Sequence, residues 1–315
     1  MRSPATKKTI ARLLKNYFFS SLKITPLPTS GNFAFRIQDG KHAYFLKLSP
    51  AGQRKRAKKE ILAELEVVER LIEHGLPVPA PIPDPHDNVV LSLRGHCGYL
   101  RKFVNANYKT NPTVKNVYEF GKVLGKMHAA LKNFRTKNPR LHIWDPVTTR
   151  RHYKQDRKVL LSSGLDKNFI DDLGCKLGSF SFPNSLPSGM IHEDLGKRHV
   201  LWRGSKIAGI IDFDRVYYGK LILDLGQAIR GWCFVNDWSA WSQVKFEALL
   251  KGYTSERKLT GLEKKYLIHA IRFAVDERCL AFSLHAAYKE NPRHARLAIQ
   301  DFYKLNRLLD NVKIK

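Results

Sequence analysis

The chain has 315 residues, of which 43% are hydrophobic and 26% charged, a composition that excludes a disordered tail or a fibrous repeat. The formal net charge of +27 predicts an anionic partner, such as nucleotide phosphates, nucleic acid, an anionic membrane surface or an acidic substrate. No apolar run approaches the roughly 18 residues of a membrane span, and the four cysteines form no Cys-x-x-Cys pair, so we expect a soluble cytoplasmic protein without a zinc site or disulfide framework.

The chain is predicted to begin with a helix, because apolar residues recur at helical spacing at Ile10, Leu13, Leu14, Tyr17 and Phe18. An organellar transit peptide is the alternative interpretation, since no acidic residue precedes Asp39. Phe33 to Ile37 and Tyr44 to Leu48 then predict a β-hairpin around Asp39-Gly40, where glycine accepts the positive φ of a tight turn.

The next segment contains a second helix and two more strands. Apolar residues from Ile61 to Ile72 follow the helical period, and Gly75 marks the end of that helix. Five prolines at alternating positions from Pro77 to Pro85 exclude a helix and predict an extended connector or a sheet edge. Val89 to Leu93 and Gly98 to Val104 predict two strands joined near Arg94-Gly95.

After about Asn105 the pattern becomes mainly helical, starting with a long amphipathic helix from Val114 to Leu131. Strands return only at Val200 to Trp202 and at Ile207 to Phe213. The sequence therefore predicts an α+β fold with two lobes. Residues 1–104 form a small β-rich lobe with one long helix, and residues 105–315 form a larger, mainly helical lobe.

Potential catalytic residues are densest between His192 and Asp224. His192-Glu193-Asp194 precedes the later predicted hairpin and Asp212 ends it, so that the hairpin brings the carboxylates of Asp194 and Asp212 to one edge of the second lobe. Phosphoryl transfer needs such a layout. One carboxylate accepts or orients the proton of the acceptor, and the other holds the Mg²⁺ that neutralises phosphate charge.

These residues resemble the aminoglycoside phosphotransferase superfamily, which includes choline kinases and type II homoserine kinases and shares its two-lobed fold with protein kinases. His192 and Asp194 match the catalytic loop His-Gly-Asp-x-x-x-x-Asn, and Ile211-Asp212-Phe213 matches the family's Ile-Asp-Phe/Trp strand. The resemblance spans about residues 10 to 230. It implies ATP and Mg²⁺ as cofactors, Asp194 as the catalytic base and Asp212 as the principal Mg²⁺ ligand.

The resemblance extends into the first lobe. The turn at Ser30, Gly31 and Asn32 looks like the family's phosphate loop, and Lys47 looks like the strand lysine that grips the α- and β-phosphates. Glu64 falls where relatives keep the acid that pairs with this lysine. Each residue alone is typical of an ordinary turn, a solvated lysine or a surface charge, but their order along the chain favours the nucleotide site.

Two positions depart from the family pattern. Glu193 replaces the glycine that follows the motif histidine, and His199 replaces the asparagine that helps to hold the metal. Mg²⁺ prefers oxygen ligands, whereas imidazole suits zinc and later transition metals. His199 therefore either contacts metal or phosphate oxygen, directly or through water, or it only caps a turn.

Several residues near the motifs also carry predictions. Asp224 is expected to anchor the loop backbone, and His128 to be a packed core histidine. Asp214 either assists the metal or caps the next turn. A group of aromatic residues either lines an acceptor pocket or belongs to the core: Trp232, Phe234, Trp238 and Trp241.

The leading interpretation is an ATP-dependent phosphotransferase that acts on a hydroxyl of a small molecule. An anionic or phosphorylated acceptor agrees better with the overall positive charge than a cationic one. A catalytically weak or inactive kinase-like nucleotide-binding module is the alternative, which the altered loop at Glu193 and His199 favours. A basic nucleic-acid-binding protein is a third interpretation, but no helix-turn-helix, zinc finger or RNA-recognition motif accompanies the charge.

Overall fold

The structure is a computed structural model, and it describes residues 7–17, 19–28, 32–49, 57–93, 95–140, 143–236, 238–289 and 292–312. The chain divides into two compact units. The first comprises the residues up to Asn107 together with Thr136–Leu141 and Leu201–Val216, and the second comprises the remaining segments. Asp212 therefore belongs to the first unit, whereas Asp194 belongs to the second.

The helices are, in chain order, α1 (Lys7–Leu13), α2 (Lys58–Glu73), α3 (Val114–Leu131), α4 (Pro146–Ser162), α5 (Lys167–Ser179), α6 (Leu221–Cys233), α7 (Gln243–Glu256), α8 (Gly261–Lys289) and α9 (Pro292–Leu309). The strands are β1 (Lys23–Leu27), β2 (Phe33–Asp39), β3 (His42–Leu48), β4 (Leu91–Leu93), β5 (His96–Lys102), β6 (Asn107–Tyr108), β7 (Ser188–Ile191), β8 (Val200–Arg203), β9 (Lys206–Ile210), β10 (Tyr217–Lys220), β11 (Phe234–Val235) and β12 (Ala240–Trp241). None of the helices within the described ranges is long and apolar enough to cross a bilayer.

The first unit is built on an antiparallel sheet with the strand order β1-β2-β3-β5-β4. The predicted hairpin is present as β2 and β3, and its turn residue Gly40 has a φ of +54°. The proline-rich segment lies along the sheet, as predicted, because Pro81 forms a bridge with Arg101 and the amide of Ile82 donates to the carbonyl oxygen of Leu100 at 2.8 Å.

Helices cover this sheet through the apolar faces that their sequences predict. Ile10 and Leu14, in and just after α1, are buried in the same core as Leu46 of β3. Phe18, the last apolar residue of the predicted helix, lies outside the described residues. The apolar stripe of α2 is buried too, and Ile61 packs against Tyr99 of β5. Burial of these apolar faces is the main source of stability for α1 and α2.

The second unit is mainly helical. Helix α3 packs against α7, and α8 packs against both α6 and α9. The contact between α3 and α7 requires glycine, because a Cβ atom added at Gly252 would lie 2.1 Å from the carbonyl oxygen of Tyr118. Strands β7 and β10 pair antiparallel, and the loop that carries Asp194 follows β7 directly.

Candidate active site

The first unit contains a buried lysine surrounded by three carboxylates. Lys47 projects from β3, and its Nζ lies 2.7 Å from Oδ1 of Asp212, 3.4 Å from Oδ2 of Asp214 and 3.5 Å from Oε1 of Glu64. The Lys47 side chain is 7% exposed and the Glu64 side chain 0%. The structure thus contains the Lys47–Glu64 ion pair predicted from the sequence, and it adds two aspartates to the same ammonium group.

The charge of Lys47 is fixed by these neighbours. Burial alone would lower the pKa of Lys47, but attraction to Asp212, Asp214 and Glu64 outweighs the burial and raises this pKa well above its ordinary value. Glu64 is held in turn by the hydroxyl of Tyr99, which donates to Oε1 at 2.6 Å. Lys47 is therefore a permanent, oriented cation, as binding of a polyphosphate requires.

The backbone after β9 presents Asp212 to this lysine. Asp212 has a φ of +74°, in the left-handed region, and a 3₁₀ turn with the buried Phe213 follows it. A non-glycine residue in this region costs on the order of 1 kcal/mol or more, and such strain clusters at functional sites. The side chain of Asp212 is 39% exposed, so that one face of its carboxylate remains accessible to a ligand.

Asp214 also joins the cluster. Its Oδ2 accepts a hydrogen bond from Nδ2 of Asn32 at 2.8 Å, and its carbonyl oxygen accepts one from Arg140. Asn32 is the third residue of the predicted phosphate loop, and it is thereby tied to the lysine cluster. Ser30 and Gly31, the first two residues of that loop, lie outside the described residues.

The donor set around Lys47 fits a hard divalent cation. Mg²⁺ typically takes one or two protein carboxylates together with substrate phosphates and water, and Asp212 and Asp214 supply carboxylate oxygens of this kind near one point. Within the described ranges, no group of three or more His, Cys, Asp and Glu side chains is arranged to hold a metal ion. The two aspartates would therefore depend on phosphate oxygens and water for the other positions.

In the second unit, the loop that follows β7 is anchored by Asp224 of α6. Asp224 is 1% exposed, and its carboxylate accepts hydrogen bonds from the amides of His192 at 2.9 Å and Glu193 at 2.8 Å. Nε2 of His128 lies 3.1 Å from the same carboxylate, and Nδ1 of His128 lies 2.7 Å from the hydroxyl of Tyr253. The predictions that Asp224 anchors the loop and that His128 is a core residue are confirmed.

Replacing Asp224 by asparagine is expected to destabilise the protein by about 1–3 kcal/mol at pH 7, because the amide group cannot accept all three hydrogen bonds. Burial alone would raise the pKa of Asp224, but the hydrogen bond and charge of His128, together with the charge and the amide hydrogen bond of His192, outweigh burial and lower this pKa below its ordinary value of 3.8. The carboxylate therefore stabilises the fold above the unfolded pKa, and this contribution is lost as the pH falls through the lower folded pKa.

Urea denaturation of both proteins between pH 3 and pH 7 measures this difference. The gap between wild type and Asp224→Asn should narrow as the pH falls below the ordinary carboxyl pKa of 3.8. Asp171→Asn is the matched control, since the side chain of Asp171 is 42% exposed. A gap that is constant across this pH range would contradict the anchoring role of the Asp224 carboxylate.

The loop itself places Asp194 and His199 together. Oδ1 of Asp194 accepts a hydrogen bond from Nη2 of Arg278 at 3.0 Å, and the carbonyl oxygen of Asp194 contacts Nδ1 of His199. The amide of His199 donates to Gly196 at 3.0 Å, so His199 closes the turn, as one of its two interpretations predicts. Glu193 has a φ of +70°, in the left-handed region that glycine adopts without strain.

The aromatic residues after the loop divide between core and half-buried positions. Trp232 is buried, stacks on Phe120 with ring centroids 3.9 Å apart, and donates from Nε1 to the carbonyl oxygen of Leu195 at 3.0 Å. Phe234 is also buried, whereas Trp238 is half-buried and carries the guanidinium of Arg230 over its ring at 5.1 Å. The core interpretation is therefore confirmed for Trp232 and Phe234, whereas Trp238 lies against the guanidinium group of Arg230.

Sequence reasoning missed Arg278, Arg230 and Tyr99. A signal for Arg278 was present in the sequence, because Asp276-Glu277-Arg278 places three charges in succession within an apolar part of α8. Charged residues are rarely buried unless they are paired or functional.

Most of the chain matches one known family of enzymes. The model of the phosphotransferase enzyme family, abbreviated APH, matches residues 23–259, and the chain belongs to this family. A homoserine kinase from Rhizobium etli is 31% identical over 202 residues, which cover 63% of this chain and 61% of that protein. A homoserine kinase from Rhizobium meliloti (strain 1021) is 28% identical over 291 residues, covering 90% of this chain and 84% of that protein.

A solved structure shows the same fold. An amicoumacin kinase in complex with AMP-PNP and Ca²⁺ aligns with a TM-score of 0.72 at 18% identity, over 96% of this chain and 97% of that chain. The predicted α+β, protein-kinase-like fold is therefore confirmed. The chain spans 61% of the length of the Rhizobium etli relative.

Proposed function

We propose that this protein is an ATP-dependent kinase that transfers the γ-phosphate of ATP to a hydroxyl group of a small molecule. The observation that carries this proposal is the cluster in which Lys47 meets Asp212, Asp214 and Glu64. It combines an oriented cation for phosphate oxygens with carboxylates suited to Mg²⁺. Membership of the phosphotransferase enzyme family supports the same function.

In this proposal the first unit binds the nucleotide. Lys47 exchanges its contact with Asp212 for the α- and β-phosphates, while Glu64 keeps the ammonium group in place. Asn32 contributes to phosphate binding, in keeping with the phosphate loop that the sequence predicts at Ser30, Gly31 and Asn32. Asp212 is the principal ligand for Mg²⁺, which when bound neutralises charge on the phosphate oxygens.

The second unit supplies the group that acts on the acceptor. Asp194 accepts the proton of the acceptor hydroxyl as this oxygen attacks the γ-phosphorus, and the anchoring by Asp224 keeps the loop in position. The contact of His199 with the carbonyl oxygen of Asp194 supports a turn-closing role for its Nδ1. Any contact of His199 with metal or phosphate oxygen would then be made by Nε2.

The test is an ATP-consumption screen of the purified protein against sugars, nucleosides, aminoglycosides and amino alcohols. L-Homoserine is included because the relatives from Rhizobium are homoserine kinases. Each acceptor is assayed with Mg²⁺, with Mn²⁺ and with a chelator, and the product is identified by mass spectrometry. We expect one acceptor class to yield ADP and phosphorylated product in equal amounts, and only when a metal is present.

Asp194→Asn is the matched control, since it removes the proposed base and keeps the side-chain shape. Metal-dependent ATP binding without phosphorylation of any acceptor would contradict a kinase and favour the non-catalytic nucleotide-binding module. Phosphorylation that is equal in wild type and in this variant would contradict the role of Asp194.

A further inference from the structure

A group of charged side chains lies beside Asp194 in the second unit. Arg278 of α8 donates from Nη2 to Oδ1 of Asp194 at 3.0 Å, and its side chain is 16% exposed. Its neighbour Glu277 is fully buried, with Oε2 3.9 Å from Nε of Arg278. The side chain of Asp194 is 29% exposed, so this ion pair lies where a solute can reach it.

A second arginine is held next to the first. Nε of Arg230 donates to Gln227 at 3.1 Å, and Nε2 of Gln227 donates to Glu277 at 2.9 Å. Burial and, to a smaller extent, repulsion from the charge of Arg278 lower the pKa of Arg230 to about 10. Two guanidinium groups are therefore held near each other although they repel, with Trp238 beneath Arg230.

Arg278 engages one of the two carboxylate oxygens of the proposed base. While Arg278 occupies Oδ1, that oxygen is engaged by a donor that is not the acceptor hydroxyl. A guanidinium group carries five donors in a rigid fork that matches a carboxylate with two parallel hydrogen bonds. An acceptor with a carboxylate would therefore give Arg278 a new partner and at the same time place its hydroxyl next to Asp194.

We propose that Arg278, assisted by Arg230, binds a carboxylate of the acceptor, and that the substrates of this enzyme are small alcohols that carry a carboxylate. This inference rests on the proposed function, because it assigns Asp194 to the acceptor hydroxyl. Arg278 is then the residue that determines specificity, and its ion pair with Asp194 occupies the acceptor site when no acceptor is bound.

The experiment compares acceptors that differ only in the carboxylate. The pairs are L-homoserine with 3-amino-1-propanol, L-serine with ethanolamine, and glycerate with ethylene glycol. Wild type is expected to prefer the carboxylate member at least about tenfold in kcat/KM, which corresponds to one charged hydrogen bond. Any other acceptor that the screen identifies is compared with its decarboxylated analogue in the same way.

Variants of Arg278 separate recognition from structure. Arg278→Gln should raise the KM for the carboxylate member by about 10- to 100-fold, whereas the KM for the neutral member should not rise, because that acceptor has no carboxylate for Arg278 to bind. Arg278→Lys should restore part of the affinity. Arg272→Gln is the matched control, because Arg272 lies on the same helix and pairs with Asp310 at 2.6 Å. ATP binding and thermal unfolding report whether each variant is folded.

The outcomes distinguish the two proposals. Equal or better turnover of neutral acceptors by wild type would overturn the carboxylate inference and leave the kinase proposal standing. An equal loss of kcat for both members of a pair in Arg278→Gln, without a selective change in KM, would reduce Arg278 to a structural partner of Asp194. Absence of phosphorylation of every compound in the screen would overturn the kinase proposal itself.

Discussion

Replacing Asp194 by asparagine is expected to lower kcat by about 10²- to 10⁴-fold, the contribution that a positioned general base typically makes. The amide cannot accept the proton of the acceptor hydroxyl, but its oxygen can still accept the hydrogen bond that Arg278 donates to Oδ1. The fold should therefore remain intact. The KM for ATP should change little, because the proposed phosphate contacts belong to Lys47 and its neighbours. Steady-state kinetics with the acceptor found in the screen measures both constants.

Asp171→Asn is again the control, since it makes the same change at a side chain that is 42% exposed. It should leave kcat and KM unchanged. If Asp194→Asn kept more than about a tenth of the wild-type kcat, proton transfer by Asp194 would account for less than about 1.4 kcal/mol of the barrier, and another group would have to act as the base.

The secondary structure of the first unit could be predicted because its signals are local. Period, turn chemistry and proline spacing determine the β2–β3 hairpin, α2 and the proline-rich edge. The pairing of Lys47 with Glu64 was also predictable, since the order of the family motifs carries it. Such features depend on residues that are close in sequence or on a pattern that relatives share.

The side-chain contacts between distant segments were not predictable in the same way. Asn32 and Asp214 are 182 residues apart in sequence, and nothing local to either position indicates their hydrogen bond. Arg278 and Asp194 are separated by 84 residues, and the run of charges in the apolar part of α8 marks Arg278 as unusual without identifying its partner. Neither interpretation of Asp214, as an aid to metal binding or as a turn cap, included its ion pair with Lys47 for this reason. Local preference identifies the element but does not determine which side chains meet.

Replacing Lys47 by methionine is expected to destabilise the first unit by about 3–5 kcal/mol, because it removes the ammonium group that lies 3.5 Å from the fully buried carboxylate of Glu64. Methionine keeps most of the volume, so the loss measures charge rather than packing. Urea denaturation gives the free energy of unfolding, and hydrogen exchange of amides in α2 and β3 reports the first unit specifically.

The pH dependence follows from the direction of the pKa shift. The folded pKa of Lys47 is raised above its ordinary value of 10.5, so its contribution is fully present below the unfolded pKa and is lost only as the pH rises through the folded pKa. Wild type should therefore lose none of this contribution at neutral pH. The difference in the free energy of unfolding between wild type and Lys47→Met should therefore stay constant between pH 6 and pH 8, where Lys47 is charged in both the folded and the unfolded protein.

A double variant shows whether the charge of Glu64 causes the destabilisation in Lys47→Met. Lys47→Met combined with Glu64→Gln removes both charges, and it should be more stable than Lys47→Met alone, because an uncharged glutamine at position 64 no longer requires a cation. Lys102→Met on β5 is the matched control, since Lys102 is exposed and its loss should change stability by no more than about 0.5 kcal/mol. Losses that simply add in the double variant would contradict electrostatic coupling between Lys47 and Glu64. In that case Asp212 and Asp214 would be the main partners of the Lys47 ammonium group. A nucleotide that draws Lys47 away from these two aspartates would then have to replace most of the stabilising contacts of Lys47.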